Sequence, residues 1–141
     1  MIHLSNKLFQ QMIDHAKETY PFECCGLLVG KYKNGKEKEI LAVYGVENRN
    51  KDRANDRYEL DPGDFHRIDK EASSKGMDIL GVYHSHPDHP DRPSDVDREI
   101  ASATYSYIII SVNNGEDISA KSWQYEEINE PFKEEEMRII G

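Results

Sequence analysis

The sequence predicts an α/β (α+β) fold, a mixed β-sheet flanked by about three helices, and three observations carry that reading. Apolar runs of strand length alternate along the chain with segments of helical period. Two Asn-Gly pairs, Asn34-Gly35 and Asn114-Gly115, stand between strand-like runs, where they signal tight hairpins. The chain of 141 residues, 37% hydrophobic and 32% charged, has the size and composition of one domain with one core, spanning 1–141.

Each element has its local reason. Ser5 is a cap for a helix whose Leu8, Phe9, Met12, Ile13 and Ala16 fall on one face. Pro21 breaks the chain, and residues 24–30 read as a buried strand. The Asn34-Gly35 turn leads into a second strand through residues 40–46. Residues 47–57 are polar and mixed in charge, so they read as a mobile loop, and 58–60 as a short strand. Asp61 and Pro62 cap and start a helix that Gly76 ends. Residues 79–85 form the next strand, and after a Pro-rich loop Ser94 opens a helix over 95–104. Residues 107–112 are a nearly continuous apolar strand, turned at Asn114-Gly115, with 118–125 running back. From about residue 126 the tail is acidic and weakly patterned.

Composition excludes several classes. Eighteen basic residues against 27 acidic ones leave a net charge of −9, whereas a nucleic-acid binder needs a basic face to release counterions. No run of about 18 apolar residues is present to span a membrane. The start of the chain lacks a basic segment followed by an apolar stretch and a small-residue cleavage site, so no signal peptide is expected. The two cysteines, Cys24 and Cys25, are adjacent and cannot staple distant parts of a fold. A cytoplasmic, reducing location fits them best. Within an apolar strand they read as small core residues rather than nucleophiles.

The chemistry concentrates between residues 84 and 97. His84 and His86 lie at the end of a predicted strand, where period-two alternation projects both imidazoles to one face. Asp97 falls in the first turn of the following helix, which the Pro-rich loop folds back toward the strand end. Two imidazoles and a carboxylate make a natural zinc set with a fourth position left open. The bland alternatives are a chance His-x-His, an Asp favouring its helix dipole and a Ser that merely caps. A metal hydrolase also needs a proton shuttle, and Glu23, just ahead of an apolar strand, is the candidate. In isolation it would read as a solvated charge.

Taken together these residues resemble a known family. Glu23, His84-x-His86, the seven-residue gap to Ser94 and the two-residue gap to Asp97 match the JAMM motif of MPN-domain (JAB1/MPN/Mov34) metalloproteases. Pro21-Phe-Glu-Cys-Cys-Gly-Leu-Leu, Arg57-Tyr-Glu-Leu-Asp-Pro62 and His84-Ser-His-Pro-Asp-His-Pro resemble the short bacterial and archaeal branch, and the likeness runs to about Val112. The resemblance implies a sheet-and-helix layout like that of cytidine deaminases, with one zinc held by His84, His86 and Asp97. It implies that Glu23 takes a proton from a zinc-activated water and that Ser94 donates to the oxyanion. It implies a metallopeptidase cutting the peptide or isopeptide bond after the Gly-Gly end of a ubiquitin-like sulfur carrier of the ThiS, MoaD or CysO kind. The Gly-Gly tail is expected in a narrow groove, by strand addition to an exposed sheet edge. Only 60 residues separate Glu23 from His84, with no long insertion of the sort that grips a second ubiquitin.

Other features have plainer readings. Arg49, Lys51, Arg53 and Arg57 form either a docking surface for an acidic carrier or a solvated loop. His89 and Asp91 either shape the groove or belong to a polar loop. His3, His15 and His66 have no partners in the pattern and are expected at the surface. Trp123, Tyr105, Tyr107 and Tyr125 read as strand residues. A zinc nucleoside deaminase would need His-x-Glu and Pro-Cys-x-x-Cys, and the chain has neither. The remaining rival is a non-catalytic MPN-type scaffold with a structural zinc.

Overall fold

The computed structural model describes residues 1–127 and 129–141; Ile128, in the acidic tail, lies outside the described residues. The elements run β1 (Ile2–Ser5), α1 (Asn6–Thr19), β2 (Cys25–Lys33), β3 (Glu37–Val46), α2 (Pro62–Ser74), β4 (Asp78–Pro87), α3 (Asp95–Ile100), β5 (Ser106–Asn113), β6 (Asp117–Gln124), β7 (Lys133–Glu135) and β8 (Met137–Ile140). Among the described residues the strands form one mixed sheet in the order β7-β6-β5-β4-β2-β3-β1-β8. β4 and β5 are parallel, joined through α3, while β2 runs antiparallel to both β3 and β4.

The sequence period explains the layers. Ser5 caps α1 by accepting from Leu8 N at 3.1 Å, and the helix lays Met12 and Ala16 on one face of the sheet with Leu28, Leu80, Ile108 and Ile110. On the other face α2 packs Ile68 and Ala72 against Leu27, Val29, Val82 and Tyr107. Burying a side chain of this size contributes about 1.5–3 kcal/mol, so the central strands, apolar on both faces, are the most firmly held. Two glycines permit that closeness. A Cβ on Gly81 would lie 2.0 Å from Ser106 O on β5, and one on Gly26 would lie 2.2 Å from the Tyr83 ring. Substituting either would push β4 off its neighbours.

The structure corrects the sequence reading in four places. Residues 2–5, read only as the approach to a cap, form β1, parallel to both β3 and β8. The weakly patterned tail supplies β7 and β8, which close the two sides of the sheet; such short edge strands carry little alternation to read. Residues 58–60 are not a strand, because Tyr58 is spent on packing while Glu59 N donates to Asn48 Oδ1. Helix α3 stops at Ile100 rather than 104, where Ala101 returns to extended backbone. Among the described residues no helix is long and apolar enough to cross a membrane.

Candidate metal centre and catalytic groove

Strand alternation places Val82, His84 and His86 on the α2 face of the sheet, with Tyr83 and Ser85 on the α1 face. His84 is fully buried, and the ring of Tyr58 stacks on it at 4.4 Å between centroids. The Pro-rich loop then returns Asp97 to the strand end. One oxygen of its carboxylate lies 3.2 Å from His84 Nε2 and the other 3.0 Å from His86 Nε2, while the two Nε2 atoms are 3.1 Å apart. These three residues offer ligand atoms within 4.8 Å of one another, so the cluster can hold a metal ion.

The surrounding bonds orient the ligands for that task. His86 Nδ1 sits 2.7 Å from Pro90 O; a carbonyl only accepts, so Nδ1 carries the hydrogen and the Nε2 lone pair faces the cluster. Ser94 N donates to Asp97 Oδ2 at 2.9 Å, and Asp97 N donates to Ser94 Oγ at 3.1 Å, a complete capping box that also aims the carboxylate. The loop is anchored from four sides. Tyr20 OH donates to Asp88 Oδ2, Asn114 N donates to Asp88 Oδ1, Ser111 Oγ donates to His89 O, and Trp123 Nε1 donates to Asp91 O.

Electrostatics fit the donor chemistry. Burial opposes charge on Asp97, but the two imidazoles and Ser94 N outweigh it and hold the carboxyl far below its ordinary range. Burial pushes the His84 value down. The same effect acts on His86, but the hydrogen bond to Asp97 prevails and its value rises. His84 Nδ1 is buried without a partner, and both Nε2 atoms and the Asp97 carboxylate converge on one point, where a cation would satisfy all three. The residues present fit a metal ion of the kind bound by imidazole and carboxylate.

Glu23 is held against this cluster by its neighbours in the chain. Ser85, between the two histidines, donates its N–H to Cys24 O at 3.2 Å and accepts from Cys24 N through Oγ at 2.8 Å. Glu23 is only 5% exposed, and its Oε1 has no hydrogen-bond partner. Burial first, aided by the negative charge of Asp97 and only partly opposed by His86, pushes its carboxyl up to about 8. Glu23, His86 and Ser94 line one groove of about 450 Å³, rimmed by Arg57, His89 and Arg92.

All five residues read from the sequence, Glu23, His84, His86, Ser94 and Asp97, therefore meet in one place. Cys24 and Cys25 are buried and free, with thiols pushed by burial to about 11 and about 12, as core residues should be. His66 is exposed, whereas His15 Nδ1 meets Tyr83 OH at 2.8 Å and His3 faces Glu37 at 3.4 Å, so those two do have partners. The basic loop is largely neutralised locally: Arg49 pairs with Asp61, Lys51 with Glu47, and Arg53 and Arg57 with Asp56. The groove lies at the end of β4, which is flanked by β2 and β5 and runs to Pro87, beyond its last β2 pairing at His84, while the outermost strands of the sheet are β7 and β8.

Sequence reasoning missed Tyr58 as the wall of His84, and it missed Asn48. The Asn48 amide donates to Glu23 O at 3.2 Å and Arg57 O at 2.9 Å, and accepts from Asn50 N and Glu59 N, both at 3.0 Å. That clamp fixes what had read as a mobile loop. Asn48-x-Asn50 ahead of charged residues is an Asx-turn signal that could have revealed it.

A mixed sheet between helices, with a His-His-Asp cluster beside a buried glutamate, defines a JAB-type domain. The chain belongs to the family of prokaryotic homologs of the JAB domain, whose model matches residues 5–126. It is 35% identical over 126 residues to a desampylase of Haloferax volcanii, an alignment covering 84% of this chain and 85% of that protein. It is 34% identical over 110 residues to the Lys-63-specific deubiquitinase BRCC36 of Camponotus floridanus, covering 74% of this chain but 42% of that protein. A solution structure of a Desulfitobacterium hafniense protein superposes with a TM-score of 0.85 at 32% identity, over 99% of this chain and 92% of that one.

Proposed function

We propose that this chain is a zinc-dependent metallopeptidase. In this reading it hydrolyses the peptide or isopeptide bond after the C-terminal Gly-Gly of a ubiquitin-like protein, a sulfur carrier of the ThiS, MoaD or CysO kind. The observation that carries the reading is the buried, unpartnered Oε1 of Glu23 in the groove that His86 of the His84–His86–Asp97 cluster also lines. A structural metal site has no use for such a carboxyl. The names of the two relatives support a substrate among ubiquitin-like proteins. The pair of free buried cysteines supports a cytoplasmic setting.

His84, His86 and Asp97 would hold the zinc, which when bound supplies Lewis acidity toward a water and the scissile carbonyl. With its carboxyl held ionised by the charge of a cation at the cluster, Glu23 would accept a proton from the attacking water and return it to the departing amine. Ser94 Oγ accepts from Asp97 N with a lone pair, which leaves its O–H free to donate to the developing oxyanion. Cap and catalytic donor are therefore compatible roles for one hydroxyl, which can also move between them.

The test is intact mass spectrometry on a carrier extended past Gly-Gly, with zinc-loaded, chelated and Glu23→Gln protein. Loss of the extension with zinc alone, and none with Glu23→Gln that still binds zinc, supports the reading. Cleavage that survives both chelation and the substitution overturns it, and a folded chain that takes up no zinc removes its foundation.

A further inference from the structure

The rim of the groove carries a charge opposite to that of the chain. In a protein of net charge −9, the groove beside Glu23 is bordered by Arg57, Arg92 and His89, with Asp56 as the one acidic residue of the rim. Asp56 is mostly occupied elsewhere: Arg53 grips both of its carboxylate oxygens, with Nε at 3.1 Å from one of them. Arg57 keeps only a longer contact to it, 3.4 Å, and donates Nη1 to the Asp56 carbonyl. Arg92 is exposed, and among the described residues it has no carboxylate within 4.0 Å and no hydrogen-bond partner. The Arg57 backbone is held to Glu23 by the Asn48 clamp, so this cation has a fixed place relative to the proton carrier.

We propose that Arg57 and Arg92 read the free α-carboxylate of the residue released, so that the preferred substrate is an α-linked C-terminal extension rather than a lysine isopeptide. The proposal rests on the peptidase reading above. Glu23 delivers a proton to the departing amine, so that amine lies next to Glu23 when the C–N bond breaks and the water oxygen stays on the glycine carbonyl carbon. In an α-amino acid the carboxyl carbon is about 2.5 Å from that nitrogen, within a side chain's reach of cations on the Glu23 side of the groove. In a lysine isopeptide the scissile nitrogen sits at the end of a four-carbon stem, and the residue's own carboxyl is tied up in the chain. Only the first substrate places an anion where the arginines stand, and a paired fork of guanidinium donors suits a carboxylate.

Three versions of one carrier test this: Gly-Gly-Ala with a free carboxylate, the same tail as a C-terminal carboxamide, and a Gly-Gly lysine isopeptide. The zinc-loaded protein should cleave the free acid about 10- to 100-fold better in kcat/KM than the carboxamide, the worth of a charge-assisted hydrogen bond. In Arg57→Gln and Arg92→Gln the acid-to-amide ratio should fall toward one. Binding is read separately, by fluorescence anisotropy with the Glu23→Gln chain, where the acid should again bind more tightly. Equal rates and equal affinities for acid and amide overturn the proposal while leaving the peptidase reading intact. So does an unchanged acid-to-amide ratio in both variants, or a faster isopeptide. If nothing is cleaved, the peptidase reading fails, and the anisotropy ratio still decides whether the rim reads a carboxylate.

Discussion

Replacing Glu23 by Gln should make the metal-free chain more stable while abolishing its activity. The residue is 5% exposed and its Oε1 has no partner, so folding at neutral pH must either bury a bare anion or take up a proton. Burial raises its value from 4.5 to about 8. The sign follows from proton counting: between these values the folded state holds a proton that the unfolded state has released, so stability falls as pH rises from about 4.5 to about 8. At pH 7 the loss accumulated since 4.5, at about 1.4 kcal/mol per pH unit, is about 3 kcal/mol. Glutamine, the same shape and never ionised, avoids it. Urea unfolding of chelator-treated protein at pH 5, 6, 7 and 8 should therefore show the wild type losing stability relative to Glu23→Gln, with a gap of about 3 kcal/mol at pH 7. At this chain length that is a melting-temperature difference of about 10 °C. Parallel pH profiles for the two proteins would refute the claim that this carboxyl is desolvated, and with it the reason for assigning it the proton transfer.

The remaining predictions separate the site from its scaffold. Alanine at His84, His86 or Asp97 should weaken zinc binding by more than about 100-fold, beyond the usual loss for an outer-shell partner, as measured by calorimetry against a competing chelator. Ser94→Ala should lose about 1 kcal/mol of stability as a missing cap and about 10²- to 10³-fold in kcat as a missing oxyanion donor. Ser94→Gly should recover most of the stability and none of the rate, and recovery of both would reduce Ser94 to a cap. Lys38, 2% exposed on β3, donates Nζ to Ser106 Oγ at 2.8 Å and to the carbonyls of Leu80 and Thr104. Lys38→Ala should destabilise by about 3 kcal/mol through orphaned acceptors and lost packing, seen in thermal unfolding, with zinc affinity unchanged.

Legibility followed the physical range of each determinant. The strands from Cys25 to Gln124 could be read because their apolar runs and Asn-Gly turns are local, and the His84–His86–Asp97 cluster because His-x-His needs only strand alternation and Asp97 a helix's first turn. β1 and β8 were hidden because their reason is each other: Ile2 pairs with Met137 and Leu4 with Ile139, across nearly the whole chain. Asn48 was hidden for the same cause, since its amide bridges Glu23 and Arg57 from a segment with no apolar period. Glu23 lay between these cases. Its position before a strand was visible, but the neighbours that bury it come from three separate segments.

Lys38 and Glu23 then sharpen each other's meaning. Both are buried ionisable groups in a sheet protein, and both have values displaced by desolvation, Lys38 downward and Glu23 upward. Around Lys38 the fold supplies three acceptors for three ammonium protons, which is how a buried charge is accommodated when it serves structure alone. Around Glu23 it supplies backbone bonds, from Asn48 to its carbonyl and from its N–H to Ala54 O, with Ser85 holding Cys24 next to it, and leaves a carboxyl oxygen bare. A chain able to satisfy one buried charge fully, yet leaving another open beside three residues able to hold a metal ion, fits the proposed role of Glu23, in which a substrate or water would complete the unsatisfied group.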